Sequence, residues 1–333
     1  MTEPVFLTGG TGFVGGALLA RLVADGREVR ALARSAEGAE MVRSLGAEPV
    51  AGDLFDHDVL VHAMSGCATV FHVAGVNAMC VRDPGSMFRA NVEGTGAVVR
   101  AAAAAGVARV VHTSSAATIG ESRGMVGAED TPHRGSFLSS YEKSKYLGER
   151  EALSVGAALG IEIVCVNPSS VQGPGRTGGS ARLLLGLVNG RAPVIVNTHL
   201  SIVDIADCTE AHVLAATRGI PGRRYLVNGA TITPRSAVSL LRAETGHPRH
   251  VVRLPRAAAT LGGAVCGVVS TVTARDLPFC PELARTLLHG HRYDGSLAER
   301  ELGLHYTPLP QTLRRTLEWY AERGLAPVPF PLR

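Results

Sequence analysis

Over residues 1–170, short continuous apolar runs alternate with longer, alanine-rich stretches of helical character. The apolar runs are Val5–Thr8, Glu28–Ala33, Pro49–Ala51, Ala68–Val73, Arg109–Thr113 and Ile161–Asn167; the helical stretches include Val14–Ala24, Asp83–Gly106 and Tyr141–Leu159. Strands that read as unbroken apolar runs are buried on both faces, and strands separated by helices pair in parallel. The pattern predicts an α/β fold built on a doubly wound parallel sheet. After Asn167-Pro168 the rhythm changes. Segment 169–200 is rich in Gly and Pro with a short helix near Ser180–Asn189, Ile202–Arg218 reads as a strand end and a helix, and Arg224–Asn228 as one more sheet strand. We expect residues 1–168, with 201–229 returning to them, to form a dinucleotide-binding unit, and residues 169–200 and 230–333 a smaller, discontinuous substrate unit.

The chain has 333 residues, 46% hydrophobic and 19% charged, which supports a large buried core and excludes disorder and coiled coil. A net charge of +4 without a basic run makes nucleic acid a poor partner. The six cysteines show no CxxC spacing, so neither a disulfide framework nor a structural zinc site is expected. MTEP leads straight into an apolar strand and leaves no room for a signal peptide, so the expectation is a cytoplasmic protein. Ala257–Ala274 carries no charge between Arg256 and Arg275. It is short for a membrane span, which needs about 20 apolar residues. It reads as a buried or pocket-lining helix, with membrane contact as the alternative and no membrane span expected.

Thr8-Gly9-Gly10-Thr11-Gly12-Phe13-Val14-Gly15 follows the first strand and opens a helix. In GxxGxxG the first glycine permits a tight turn, the second lets backbone approach a pyrophosphate, and the third allows close helix–strand packing. Placed there, the motif marks a dinucleotide site that uses Gly9, Thr11, Gly12, Phe13 and Val14. An NAD site usually ends its second strand with an acid that binds the ribose hydroxyls. Here the strand reads VRALAR, and Arg34 suits a 2′-phosphate instead, so NADP(H) is preferred and NAD(H) remains possible. Asp53, before Leu54, is a candidate acceptor from the adenine amino group, or else a helix cap. Val73, Ala74 and Gly75 are small residues beside which a cofactor could run.

Of 33 basic residues only Lys143 and Lys145 are lysine. Tyr141 and Lys145 stand at i and i+4, on one helix face. A tyrosine of pKa about 10 is a poor acid–base catalyst near neutrality, and an adjacent ammonium lowers that value. Ser115, after Thr113 at the carboxyl end of the fifth strand, can hold a carbonyl oxygen that Tyr141 protonates.

With TGGTGFVG, GDL at 52–54, HVAG at 72–75, NVEGT at 91–95, HTSSAATIG at 112–120, YEKSK at 141–145 and NPSSVQGPG at 167–175, the chain resembles the extended short-chain dehydrogenases/reductases of the epimerase/dehydratase group along essentially its whole length. Its second strand and tail are similar to bacterial dihydroflavonol-reductase-like and hopanoid-associated sugar-epimerase-like proteins. The resemblance implies a Rossmann arrangement, with Ser115 as hydroxyl partner, Tyr141 as acid/base and Lys145 as the ribose-binding lysine. It also implies that Asn91 braces the sheet, that backbone after Pro168, around Ser170, meets the nicotinamide amide, and that a homodimer could form through helices near 91–106 and 141–159.

The leading reading is an NADPH-dependent ketoreductase acting on a small-molecule ketone, bulky and largely apolar, with Phe137-Leu138, Leu183–Leu187 and Ala257–Val272 as candidate walls. A nucleotide-sugar epimerase on retained NAD needs the same three residues and is the alternative. A non-catalytic dinucleotide sensor would have no use for them. His289-Gly290-His291 has no acid or cysteine at ligand spacing and reads as solvated surface, so no metal is expected. Glu129-Asp130 is expected in a mobile loop over the active site.

Overall fold

In the computed structural model, which describes residues 3–179, 181–191, 194–246, 251–273, 275, 277 and 279–326, strand and helix alternate from the start. The first half runs β1 (Val5–Thr8), α1 (Phe13–Ala24), β2 (Val29–Ala33), α2 (Ala36–Ser44), β3 (Glu48–Ala51), α3 (His57–Met64), β4 (Thr69–His72), α4 (Gly85–Phe88), α5 (Gly94–Ala104), β5 (Arg109–Thr113) and α6 (Ser140–Leu159). The second half runs β6 (Glu162–Pro168), β7 (Ser170–Gln172), α7 (Ala181–Val188), β8 (Val194–Val196), β9 (Leu200–Asp204), α8 (Ile205–Arg218), β10 (Arg224–Val227), β11 (Ala230–Ile232), α9 (Pro234–Thr245), β12 (Val252–Leu254), α10 (Arg256–Thr273), α11 (Pro281–His289) and α12 (Leu309–Glu322). The six strands expected in the first part are present, with bounds shifted by one residue at most.

Seven strands form one parallel sheet in the order β10-β6-β5-β4-β1-β2-β3. Because side chains alternate along a strand, Val5 and Leu7 enter one core with Leu18, Leu19, Ala211 and Ala215 of α1 and α8. Phe6 enters the other, with Leu60, Met64, Val98 and Ala152 of α3, α5 and α6. Each fully buried Val, Leu, Phe or Met among these contributes about 1.5–3 kcal/mol, and burial on both faces is why these strands read as unbroken apolar runs. The chain reverses its direction of winding between β1 and β4, so the crevice for a ligand opens at their carboxyl ends.

The long helix expected over Asp83–Gly106 is divided. A π-helical turn at Arg89–Glu93 separates α4 from α5. The widened turn brings the Asn91 carbonyl against α6, where a Cβ on Gly148 would lie 2.1 Å from it. Only glycine fits there.

Four sequence expectations are corrected. Cys80 and Cys280 form a disulfide with Cα atoms 5.5 Å apart; their separation of 200 residues hides that proximity. Glu129 is no free loop residue, since its side chain accepts from Leu226 N–H at 2.8 Å and its carbonyl from Arg224 at 2.7 Å, anchoring the loop to β10. Helix α10 is not a buried helix: only Ala259 and Gly263 of it are buried. His289 and His291 are not solvated surface, because the fold brings buried Glu121 to His291 Nδ1 at 2.7 Å. Part of the tail after α12 lies outside the described residues.

Gly148→Ala should therefore force α6 away from the π turn. We expect a loss of about 1–3 kcal/mol, the usual cost of overpacking, read as a lower thermal midpoint than wild type. An unchanged midpoint would refute the tight approach.

Candidate active site

Strand ends and the starts of the following segments place the candidate residues along the carboxyl edge of the sheet. Gly9 turns the chain sharply after β1 with φ +78°, and a Cβ there would meet Ala74 N at 2.6 Å. Gly12 caps α1 in an extended conformation, and a Cβ on Gly15 would lie 2.0 Å from the Gly9 carbonyl. The three glycines thus leave a cradle of bare backbone at the start of α1, whose first N–H groups have no partner inside the helix. Such a terminus attracts phosphate. Arg34 is exposed at the end of β2, and Ser35 next to it caps α2 by accepting from Gly38 N–H at 3.2 Å. A Cβ on Gly38 would lie 3.3 Å from Thr11, so the Arg34 segment and the glycine turn are neighbours. Asp53 is half-buried after β3 and its carboxylate accepts from Phe55 N–H at 3.3 Å; the helix cap is Asp56, not Asp53.

Ala74 N–H donates to Thr8 Oγ1 at 3.2 Å, joining the turn to the segment Val73–Gly75. Asn91 clamps that segment: its Oδ1 accepts from Val76 N–H at 2.7 Å and its Nδ2 donates to the Val76 carbonyl and to Ser144 Oγ, both at 2.9 Å. A Cβ on Gly75 would lie 3.1 Å from Asn91 Oδ1 and 3.7 Å from Lys145 Nζ, so the small residue makes room for both.

Ser139 caps α6, accepting from Glu142 N–H at 3.2 Å, and the first turns of the helix carry Tyr141 and Lys145 on one face. Ser115 lies close enough to the Tyr141 hydroxyl to favour its ionised form. Ser115 Oγ also accepts from Ala117 N–H at 3.3 Å, which fixes its rotamer as the cap of a short turn. Lys145 Nζ donates to the Thr113 carbonyl at 2.8 Å. Burial lowers the Lys145 pKa to about 8, against the opposing pull of Glu149. Burial raises that of Tyr141, while Ser115 and the Arg176 charge pull it down. Beneath this group lie His72 and His112, stacked with centroids 5.3 Å apart and neutral, because burial and the Lys145 charge both disfavour a second cation.

Two residues of this arrangement escaped the sequence reading. Glu149 is a buried carboxylate, accepting from Ser114 Oγ and Asn167 Nδ2 at 2.5 Å each and from Thr118 Oγ1 at 3.1 Å, and paired with Arg224 at 3.2 Å. Asn167 Nδ2 in turn donates to the Ser115 carbonyl at 3.2 Å. The signal was available, since Glu149 repeats the i, i+4 step after Lys145. Arg176 lies in the glycine-rich run after β7, with its guanidinium 5.5 Å from the Phe13 ring centroid. It joins the glycine turn to the Tyr141 side of the site, and its spacing gave no sign of this. Pro168 ends β6 opposite Val227, and Ser170 Oγ accepts from Gln172 Nε2 at 2.9 Å in β7.

Residues 5–227 match the NAD dependent epimerase/dehydratase family. The sterol demethylase protein B of Methylococcus capsulatus is 31% identical over 327 residues, covering 96% of this chain and 98% of that protein. The 4-hydroxy-2-methyl-3-oxo-4-farnesyl-3,4-dihydroquinoline-1-oxide ketoreductase of Stigmatella aurantiaca is 34% identical over 265 residues, covering 77% of this chain and 79% of its own. Among solved structures, gox2253 superposes with a TM-score of 0.85 at 29% identity, covering 98% of this chain and all of that one (100%).

The folded Lys145 holds its proton only up to about pH 8, against 10.5 for a free lysine. The unfolded chain therefore binds more protons between these values, and the stability contribution of Lys145 rises with pH across that window. The positive charge on the helix face that carries Tyr141 is lost over the same range. The kcat/KM of the enzyme should fall as pH rises through about 8, and Glu149→Gln, by removing the charge that supports the ammonium, should move that limb to lower pH. A limb that stays in place in the variant would separate Glu149 from Lys145.

Proposed function

The chain belongs to the NAD dependent epimerase/dehydratase family, and we propose that it is an NADPH-dependent ketoreductase acting on a bulky, largely apolar ketone. The observation that carries this reading is the convergence of Ser115 on the Tyr141 hydroxyl, with Lys145 one turn further on the same helix face. The cradle left by Gly9, Gly12 and Gly15 fits the pyrophosphate of a dinucleotide, with Thr11, Phe13 and Val14 opening the helix above it. Arg34 would meet a 2′-phosphate; Asp53 and Leu54 would flank the adenine; Val73, Ala74, Gly75, Thr113, Pro168 and Ser170 would line the path to the nicotinamide. When bound, the cofactor supplies the hydride.

The chain itself handles the oxygen. Ser115 and Tyr141 donate to the carbonyl oxygen of the ketone, and Tyr141 gives its phenolic proton to that oxygen as charge develops there. Lys145 stabilises the phenolate left behind, and Glu149 keeps Lys145 charged. Phe137 and Leu138, close before Tyr141, and the leucines of α7 suit an apolar substrate. The Stigmatella relative is by its name a ketoreductase of a farnesyl-bearing molecule, which supports the same reading.

In this reading residues 1–168 and 201–229 serve the cofactor, and 169–200 with 230–333 the substrate. Association of two copies through α5 and α6 is the corresponding reading of assembly. A cytoplasmic location completes it; there Cys80 and Cys280 would stand as thiols, since such compartments keep cysteine reduced.

Tyr141→Phe should lower kcat by about 10²–10⁴-fold, the usual worth of a proton donor, with the dissociation constant for NADPH unchanged. Unchanged turnover would sink the assignment. Arg34→Ala should weaken NADPH at least tenfold and leave NADH nearly untouched. Mass spectrometry of cofactor released on denaturation gives an independent reading: tightly retained NAD would overturn the reductase in favour of an epimerase.

A further inference from the structure

Helices on the surface of soluble domains turn an apolar stripe inward and polar residues outward. Helix α10 reverses this order. Its inward face is small: a Cβ on Gly263 would lie 2.9 Å from Ala284 Cβ, and one on Gly267 3.0 Å from Pro281, so the helix backbone rests on α11. Its outward stripe, Leu261, Val265, Val268 and Val272, follows one helix face and is 66%, 53%, 64% and 79% exposed. The strands just before it add exposed Val194 and Val252. An apolar surface of this extent on a soluble protein marks an interaction site.

Charge indicates what covers it. Arg256 and Arg275 bound the helix and are exposed, and no acidic residue stands between them. Arg123 lines one depression together with Arg256, and Met125 and Val126 are exposed just beyond it. A second copy packed along this helix in either direction would set arginine against arginine. A phosphate-bearing surface would not.

We propose that the outward face of α10 seats the protein on an anionic lipid bilayer, with Leu261, Val265, Val268 and Val272 in the acyl boundary and Arg123, Arg256 and Arg275 at the headgroup phosphates. The helix does not cross the bilayer. Its start is tied to the body through β12 paired with β8, while Gly263 and Gly267 stay against α11. It lies in the interface instead. α11 links this face to the active site, because Glu282 accepts from Ser140 Oγ at 2.7 Å and from Ser140 N–H at 3.0 Å, one residue before Tyr141. An apolar ketone dissolved in the bilayer would then enter beside Tyr141; that last step rests on the ketoreductase reading, whereas the docking does not.

The test is cosedimentation of the full chain with vesicles of phosphatidylcholine and phosphatidylglycerol in equal parts, and with vesicles of phosphatidylcholine alone. The wild type should bind the anionic vesicles more tightly, and less so at high salt. Val265→Glu/Val268→Glu should bind at least tenfold more weakly with an unchanged thermal midpoint. Arg256→Ala/Arg275→Ala should lose about 25-fold on anionic vesicles only, from roughly fivefold per arginine. Should the double valine variant unfold, Val272→Glu, at the most exposed position of the stripe, provides the same test. Absence of vesicle binding overturns the proposal, as does binding that none of these variants weakens. So does a dimer that the valine variant converts to monomer without any vesicle binding. The assay involves no turnover, so its failure leaves the ketoreductase reading intact.

Discussion

An ammonium buried in a protein core costs several kcal/mol unless polar groups are fixed around it, and the placement of Lys145 sets the terms for much of the surrounding structure. The Thr113 carbonyl at the end of β5 accepts one of its protons. Glu149, one helical turn on, holds a compensating negative charge. The neighbouring imidazoles of His72 and His112 stay neutral. Gly75 leaves space next to the ammonium, since a Cβ there would press on Asn91 Oδ1 at 3.1 Å. Each of these residues is otherwise an unremarkable strand end, helix position or loop glycine, and each is constrained by the same charge.

Holding the lysine also requires that α6 lie close to the sheet edge, and the π turn at Arg89–Glu93 makes that possible. It presents the Asn91 carbonyl to Gly148 and the Asn91 side chain to Val76 and Ser144. One asparagine thereby couples the segment after β4, the π turn and α6. From the other side Glu149 couples that helix to Ser114, Asn167 and Arg224. The site is consequently built from rigid elements, with Ser115 held by its own cap and by Asn167, as proton transfer between closely placed groups requires.

The sheet strands were legible because they are buried on both faces, and the glycine turn because its chemistry is local. The Tyr141–Lys145 pair was legible because helical periodicity is local as well. Relations across the chain left little trace. Cys80 and Cys280 pair across 200 residues, Glu121 reaches His291 across 170, and Arg176 reaches Phe13 because the run after β7 returns to the start of α1. Uncharged residues between Arg256 and Arg275 read as buried by composition, but which face of a helix is covered depends on the neighbour it meets. Glycines at 263 and 267 let α11 take the small-residue face and leave the valines outside.

By itself, then, the sequence determined the alternation of strand and helix, the glycine turn, the helix face that carries Tyr141 and Lys145, and membership of a family with that pattern. These are properties of residues a few positions apart, where backbone geometry fixes the spacing. Tertiary structure alone decided which charges share a low-dielectric site, which cysteines and histidines find partners, and which side of α10 meets solvent. Those depend on distances between segments far apart in the chain, which packing sets and no local periodicity encodes.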